Sequence, residues 1–317
     1  MSILSLHHVT ATVDDAQDDL DFCLGGLGLR LVKKTVNFDN HHVYHFYYGD
    51  ARGTPGTIWT TFPYKDRGVR VGTKGTGQVT VTAFSVPTGA LDAWRVRLAA
   101  RAIAVTDVVT PFGEPAISFS DPSGLAFELI ANDDDRREPW VHASRRAGAE
   151  IGPADAIRGL HSVTLTVRER TPTVDFMTTQ LGYVVVGEVE GRVRLGIGGG
   201  GPGRTIDVAQ NPTVDPAVNG LGTVHHVAMA VESEEEQLRF RQQLIDVGCK
   251  VTEVRDRCYF KSIYFREPGG VLFEIATLKP GFLIDEELGS LGRDLKLPPW
   301  EEPNRGHIER ELAAVKY

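Results

Sequence analysis

Alternating apolar and polar residues mark four strand-like stretches that open on a similar pattern. These stretches are SLHHVTATV (5–13), QVTVTAFSV (78–86), LHSVTLTV (160–167) and VHHVAMAV (224–231). A helix-like stretch follows each one, at 14–26, 89–102, 170–182 and 234–248, and further strand-like runs close each copy. Alternation with a period of two predicts strands that place one face on a core. The pattern therefore predicts a β-α-β-β-β unit that is used four times.

A short motif also recurs late in the second and fourth copies. FSDPSGLAFEL (119–129) matches FREPGGVLFEI (265–275). In both, a D/E-P-x-G turn joins two strand-like runs, which is typical of a hairpin. The recurrence supports a modular chain of the α+β class.

The stretch between the second and third copies predicts how the modules are grouped. Residues 132–156 are rich in charge, Ala, Gly and Pro, as is typical of a linker. We therefore expect two paired-module domains, a linker and a C-terminal extension with a charged helix near its end. Their expected bounds are 1–140 for the first domain, 141–156 for the linker, 157–280 for the second domain and 281–317 for the extension.

Charge and cysteine content narrow the range of functions. The 317 residues have a net charge of −8, which gives no attraction to nucleic acid or to an anionic membrane surface. No stretch approaches about 18 consecutive apolar residues, so membrane insertion is not expected. Cys23, Cys249 and Cys258 are an odd number without CxxC spacing, which disfavours a disulfide framework or a thiolate metal site. We expect a cytoplasmic protein.

Alignment of the four copies places candidate metal ligands in the first and last. The aligned position in the opening strand is occupied by His8, Val81, Ser162 and His226. The aligned position in the closing strand is occupied by Thr60 or Thr61, Glu128, Asp207 and Glu274. Because strand residues alternate between faces, we expect His8 and His226 on the small, polar face and His7 and His225 on a packing face.

Two imidazoles and one carboxylate are the ligand set that suits non-haem Fe(II), and Mn(II) could occupy the same ligands. The alternative is that these buried histidines only bond to backbone groups. The same position repeats in two copies with a downstream Glu274, which favours a metal.

The modules, the two His-His strands and the PGGVLFE hairpin resemble the vicinal-oxygen-chelate superfamily, which implies open, barrel-like sheets. Within it, the chain resembles the Fe(II) dioxygenases that cleave the ring of hydroquinones and chlorohydroquinones. Four stretches support this narrower resemblance: YHFYYGD (44–50), GTPGTIWTTFP (53–63), SIYFREPGGVLFE (262–274) and SLGRDLKLPP (290–299).

The resemblance implies roles for particular residues. It implies that His8, His226 and Glu274 bind the metal. It further implies catalytic roles for Tyr264, His225 and Arg257, and substrate contacts for His7, Thr10, Tyr264 and Arg257. Each of these side chains has a plainer alternative as a core tyrosine, a surface arginine or a packing histidine. Asp256 departs from the relatives, which tend to have an amide there, and an added carboxylate would repel an anionic substrate.

The resemblance therefore implies an Fe(II)-dependent dioxygenase that inserts both atoms of O₂ into a hydroquinone-like ring, or less readily a catechol. Its partners would be a small aromatic substrate, O₂ and a possible second copy of the chain. Two alternatives stay open: a glyoxalase-like isomerase or thiol transferase on Zn²⁺ or Ni²⁺, and a drug-binding protein without catalysis.

Overall fold

The computed structural model describes residues 2–141 and 151–317, so most of the predicted linker lies outside the described residues. The strands of the first two modules are β1 (Ser5–Val13), β2 (Arg30–Asn37), β3 (Asn40–Gly49), β4 (Ile58–Pro63), β5 (Gln78–Val86), β6 (Thr106–Val109), β7 (Pro115–Ser120) and β8 (Ala126–Ala131). Those of the last two are β9 (Gly159–Val167), β10 (Val184–Val189), β11 (Arg192–Gly196), β12 (Thr205–Gln210), β13 (Thr223–Val231), β14 (Arg255–Asp256), β15 (Lys261–Arg266) and β16 (Leu272–Thr277). The helices are α1 (Ala16–Leu20), α2 (Leu91–Ala99), α3 (Arg170–Gln180), α4 (Glu234–Asp246) and α5 (Arg305–Glu311).

Each module has the predicted order of one strand, one helix and three strands, which confirms the α+β class. Local sequence explains where helices begin. The Asp15 carboxylate accepts hydrogen bonds from two amides of the first turn of α1, and the Ser233 hydroxyl accepts one from the amide of Glu236 at the start of α4. Helix α1 continues as a π-helical turn, Asp21–Gly26. None of the helices in the described ranges is long and apolar enough to cross a bilayer.

The strands form two eight-stranded sheets that pair the first module with the fourth and the second with the third. The first sheet has the order β14-β15-β16-β13-β1-β4-β3-β2, and the second has the order β10-β11-β12-β9-β5-β8-β7-β6. In each sheet the two modules meet through antiparallel opening strands, β1 with β13 and β5 with β9. The grouping of neighbouring modules that we expected is therefore wrong for the sheets. The bounds proposed for the domains, the linker and the extension stay a prediction.

A β-bulge interrupts the opening strand of every module at the same place. Along β1 and β13 the pairing passes from Leu6 to His8 and from His226 to Val224, so that His7 and His225 are the extra residues. In β5 and β9 the residues skipped in the same way are Thr80 and His161. A bulge bends the strand and redirects nearby side chains, and bulges are common beside active sites. The strict alternation assumed from the sequence fails at these four residues.

One apolar core extends across both sheets. It is built from the strand faces that point away from the bulged histidines, and it includes Val9 of β1, Val227 of β13 and Phe127 of β8, none of them exposed. The C-terminal extension packs against the first sheet, where Ile308 of α5 contacts the cluster around Val36 of β2. A second apolar cluster, which includes Phe282 and Leu291 of the extension, packs against Ala228 of β13 and Val32 of β2.

The start of the extension is tied to β2 by a buried ion pair. The Lys33 ammonium is completely buried and bonds to the carboxylates of Asp285, at 2.5 Å, and Glu286. It also lies 4.9 Å from the centre of the Tyr259 ring, and the Tyr259 hydroxyl donates to Asp285. A buried lysine is stable only with such partners. This contact holds the segment that follows the last module against the first module.

Candidate metal centre

Three buried side chains from the paired first and fourth modules converge on one point. His8 of β1 and His226 of β13 come from the two bulged strands, and Glu274 comes from β16, where it lies opposite Ala228. The His8 and His226 Nε2 atoms are 3.2 Å apart. Glu274 Oε2 is 3.3 Å from His8 Nε2 and 2.8 Å from His226 Nε2. At most 5% of any of these residues is exposed.

The geometry fits a metal ion held by His8, His226 and Glu274. Three donors that are each about 2.0–2.2 Å from an ion, at right angles, lie about 3 Å from one another. The three observed separations are close to this value. Glu274 Oε2 is also buried without a hydrogen-bond partner, although it points at two imidazole nitrogens. A cation between these atoms would satisfy all of them.

The charge states of the ligands also suit a cation. Burial favours a raised pKa for Glu274, but His8 and His226 outweigh it and hold the pKa of this carboxyl well below its usual range. Burial lowers the pKa of His226, although Glu274 opposes the shift. The site therefore presents an ionised carboxylate and a neutral imidazole, which are the forms that bind metal.

The first histidine of each pair is hydrogen-bonded to the second and orients its ring. His7 Nδ1 is 2.8 Å from His8 Nδ1, and His225 Nδ1 is 2.7 Å from His226 Nδ1. An imidazole that binds metal through Nε2 has its proton on Nδ1, so with a metal bound His8 and His226 would be the donors in these bonds. Burial lowers the pKa of His7 and of His225 to about 3, with the adjacent histidine as the second cause, which leaves both able to accept. We expected His7 and His225 on an opposite, packing face, and the bulges are the reason why they meet their neighbours instead.

Ser262 orients the carboxylate, and the sequence interpretation missed it. Its hydroxyl donates to Glu274 Oε1, which leaves Oε2 directed at the histidines. Ser262 and Tyr264 lie on the same face of β15, and Tyr264 is the direct cross-strand neighbour of Glu274. A serine two residues before Tyr264 is the only signal in the sequence, and it gains meaning only from the pairing of β15 with β16.

A cavity of about 270 Å³ opens beside the three ligands. Thr10, His225, Arg257 and Tyr264 line it, as the resemblance implied. Its other walls are mainly aromatic and amide side chains of the first module together with Phe260 of the fourth: Asn37, Phe38, Asn40, Tyr47, Phe62 and Tyr64. Aromatic side chains in these walls can pack against an aromatic ring.

Two of the residues expected at the cavity lie elsewhere. His7 is buried behind His8, with its ring centre 4.8 Å from that of Phe260, and it is not among the cavity-lining residues. The expected contact of His7 with substrate stays a prediction, and the bulge turns the His7 ring onto His8. Asp256 is exposed, and its carboxylate accepts the amide of Cys258 in a turn instead of facing the cavity.

His45 and Thr60 are cavity neighbours that the sequence interpretation did not assign. His45 Nε2 is 2.9 Å from Thr60 Oγ1, which in turn is 2.8 Å from Thr10 Oγ1. Burial, with His8 second, lowers the pKa of His45 well below its usual value. The β1–β4 pairing places Thr60 opposite Thr10, which makes Thr60, not Thr61, the counterpart of Glu274. The first module thus offers a hydroxyl where the fourth offers a carboxylate.

The second sheet has a different arrangement at the equivalent place. Asp207 is bonded there by the Arg194 guanidinium at 2.8 and 3.0 Å, and Arg194 also bonds to Glu114. The strand positions that correspond to His8 and His226 are Val81 and Ser162. In the part of the chain that the structure describes, His8, His226 and Glu274 are the only three such donors close enough to share an ion.

Comparisons with known proteins agree with this architecture. Residues 159–275 match the family model for the Glyoxalase/Bleomycin resistance protein/Dioxygenase superfamily. A crystal structure of a provisionally assigned dioxygenase from Bacillus subtilis superposes with a TM-score of 0.92 and 39% identity, covering 99% of this chain and 98% of that chain. Glyoxalase I from Zea mays is only 16% identical, with a TM-score of 0.65 over 92% of this chain and 97% of its own, and shows the fold alone.

Two relatives indicate which family within this superfamily the chain belongs to. The chain is 40% identical to MhqO of Bacillus subtilis (strain 168), provisionally named a ring-cleaving dioxygenase, over 98% of this chain and 96% of MhqO. It is 36% identical to the chlorohydroquinone/hydroquinone 1,2-dioxygenase of Sphingobium indicum, over 97% of this chain and 95% of that protein. The chain therefore belongs to the Glyoxalase/Bleomycin resistance protein/Dioxygenase superfamily and, within it, to the enzymes of the ring-cleaving dioxygenase family.

Proposed function

We propose that the protein is an Fe(II)-dependent dioxygenase that opens the ring of a hydroquinone, with catechols as poorer substrates. The observation that supports this most is the convergence of His8, His226 and Glu274 at the wall of an aromatic-lined cavity. A cavity of about 150 Å³ already holds benzene. The larger cavity here suits one substituted ring with O₂ beside it.

The metal is proposed from the donor set. Two neutral imidazoles and one carboxylate leave about three positions on an Fe(II) ion free, and bound Fe(II) supplies the redox chemistry through which O₂ attacks a ring. Mn(II) fits the same donors. A glyoxalase-like reaction needs a fourth protein ligand, and Thr60, which stands at the equivalent position, argues against it.

Tyr264 and Arg257 are proposed to stabilise charge on the substrate. Arg257 Nε donates to Tyr264 Oη at 3.1 Å, and the Tyr264 ring centre is 5.6 Å from that of His226. Burial, with Glu274 second, raises the pKa of Tyr264, so its phenol keeps its proton and can donate to a substrate oxygen. The guanidinium behind it favours negative charge on that oxygen as the ring reacts.

His225 is proposed to donate a hydrogen bond to the substrate. It lines the cavity and is neutral at neutral pH, and because its Nδ1 accepts from His226, its proton lies on Nε2, from which it can donate to an oxygen of the substrate. Thr10 of β1 lines the cavity, with its hydroxyl bonded to that of Thr60, and is proposed to bind the substrate. We place the enzyme in the cytoplasm, since its three cysteines are unpaired.

The test uses the full chain, which is loaded with Fe(II) in the absence of oxygen. The loaded protein is then mixed with hydroquinone or catechol and exposed to air. We expect one O₂ consumed per ring opened, and a product that contains both oxygen atoms of ¹⁸O₂. His226→Ala should lose both bound iron and turnover. Ser162→Ala, at the same strand position of the third module, is the matched control and should keep both. Full activity of His226→Ala, or no O₂ uptake by the loaded wild type, contradicts the proposal.

A further inference from the structure

We propose that Asp39 determines substrate specificity by neutralising Arg257, so that the cavity favours rings without an anionic substituent. This inference rests on the proposed function, because it concerns which ring binds at that site. Asp39 lies in the turn between β2 and β3 of the first module, whereas Arg257 belongs to the fourth. The pair therefore joins the two modules across the mouth of the cavity.

The geometry places Arg257 between the metal ligands and the solvent. One side of its guanidinium donates through Nε to Tyr264 Oη. The other side donates through Nη2 to Asp39 Oδ2 at 2.9 Å. The side chain of Arg257 is 16% exposed and that of Asp39 is 64% exposed. Arg257 is thus held inside the cavity, while its counter-ion stands at the rim.

The charged residues that line the cavity show why the Asp39–Arg257 pair would control which ring binds. Among the described residues that line it, Asp39 and Arg257 are the only acidic or basic ones besides the histidines. With the pair intact, these two charges cancel, and an anionic substituent must compete with Asp39 for the guanidinium. Without the Asp39 carboxylate, the Arg257 charge is unopposed, and a carboxylate on the ring gains a charge-assisted partner.

The loop is built to hold Asp39 in this place. Its amide donates to Asn37 Oδ1 at 2.9 Å, and Asn37 Nδ2 donates to the Tyr64 hydroxyl at 2.9 Å. These bonds fix the turn independently of the carboxylate, so an amide at position 39 keeps the shape of the rim. Asp39 therefore has the role that the sequence suggested for Asp256, whose carboxylate is used in its own turn.

The experiment measures ligand binding to the metal-free chain, so that it does not depend on turnover. The probes are benzoate and benzyl alcohol, two single-ring molecules of similar size that differ in charge, and affinities are measured by isothermal titration calorimetry. For Asp39→Asn we expect benzoate to bind about three- to tenfold more tightly, as for one partly screened charge interaction, and benzyl alcohol to bind as before. The double variant Asp39→Asn/Arg257→Met should lose this gain.

A matched control and a turnover measurement complete the test. Glu253 is 84% exposed and pairs with Arg241 at 2.7 Å outside the cavity, so Glu253→Gln should leave both affinities unchanged. In the Fe(II) enzyme, Asp39→Asn should raise kcat/KM for 2,5-dihydroxybenzoate relative to hydroquinone by a similar factor. An unchanged benzoate affinity, or an equal gain for both probes, overturns the inference. Absence of wild-type O₂ uptake with hydroquinone contradicts the proposed function instead and leaves the binding result standing.

Discussion

Replacement of Ser262 by alanine measures how much its hydrogen bond to the candidate ligand Glu274 contributes to metal binding. Ser262 and Glu274 are both fully buried, and the serine hydroxyl is the partner of one carboxylate oxygen. A hydrogen bond to a charged group contributes about 1.5–3 kcal/mol. Loss of a side chain that orients a metal ligand lowers metal affinity by about 10- to 100-fold, which is the same range of free energy.

We therefore expect Ser262→Ala to bind Fe(II) about 10- to 100-fold more weakly than the wild type. The affinity is measured without oxygen by competition with a coloured chelator. Ser262→Thr, which keeps the hydroxyl, should recover most of the affinity. Ser162→Ala removes a buried hydroxyl from the second sheet, where it bonds to His161, and should leave Fe(II) affinity unchanged.

The metal-free protein gives a second measurement of the same contact. Without Ser262, Glu274 Oε1 stays buried and loses its donor, which costs about 1–3 kcal/mol of unfolding free energy. Urea denaturation of both metal-free proteins measures this loss. If Ser262→Ala binds Fe(II) as tightly as the wild type and is equally stable, Ser262 does not orient the carboxylate and the reasoning is refuted.

Three further predictions concern other buried groups. His7→Phe removes the acceptor for His8 Nδ1 and should weaken Fe(II) binding about tenfold in the same chelator assay, with little change in the cavity. Burial raises the pKa of Asp19 to about 6 against the opposing bonds from Thr61 and Tyr48, so the folded state holds a proton that the unfolded chain has lost. The contribution of Asp19 to the unfolding free energy therefore falls as the pH rises from 4.5 to 7. Between these pH values the unfolding free energy of the wild type, measured by urea denaturation, should fall by about 2 kcal/mol more than that of Asp19→Asn. Lys33→Met leaves two carboxylates without their cation and should cost about 3–5 kcal/mol in urea, whereas Lys33→Met/Glu286→Gln should recover part of that loss.

The repeated module and the convergence of the candidate metal ligands were predictable because both have a signal along the chain. The opening strands share their pattern over four copies, and His8, His226 and Glu274 stand at aligned positions in two of them. Strand order within a module follows from local turns, such as the D/E-P-x-G hairpin. The pairing of the first module with the fourth depends on which opening strands meet, and along the chain it is indicated only by the candidate ligands that these two modules share.

The residues that were missed depend on contacts between strands. The bulges at His7 and His225 exist only in the register of β1 against β13, so alternation counted along one strand gave the wrong face. The positions of Ser262 and Thr60 at the site can be recognised only once their cross-strand neighbours are known. Asp39 meets Arg257 across 218 residues of sequence, whereas Asp256 was suspected only because it is adjacent to that arginine.

The pairing of β1 with β13, and of β13 with β16, also determines when the metal site can first form during synthesis. His8 leaves the ribosome early, but Glu274 follows 266 residues later, since 274 minus 8 is 266. At about 5–20 residues per second, this interval lasts on the order of tens of seconds. Until β13 is made, the opening strand of the first module lacks its antiparallel partner, whereas the second and third modules can pair once the chain has passed β12. Incomplete chains that end before the last module therefore cannot bring the three candidate metal ligands together, and only chains that include this module can hold the ion.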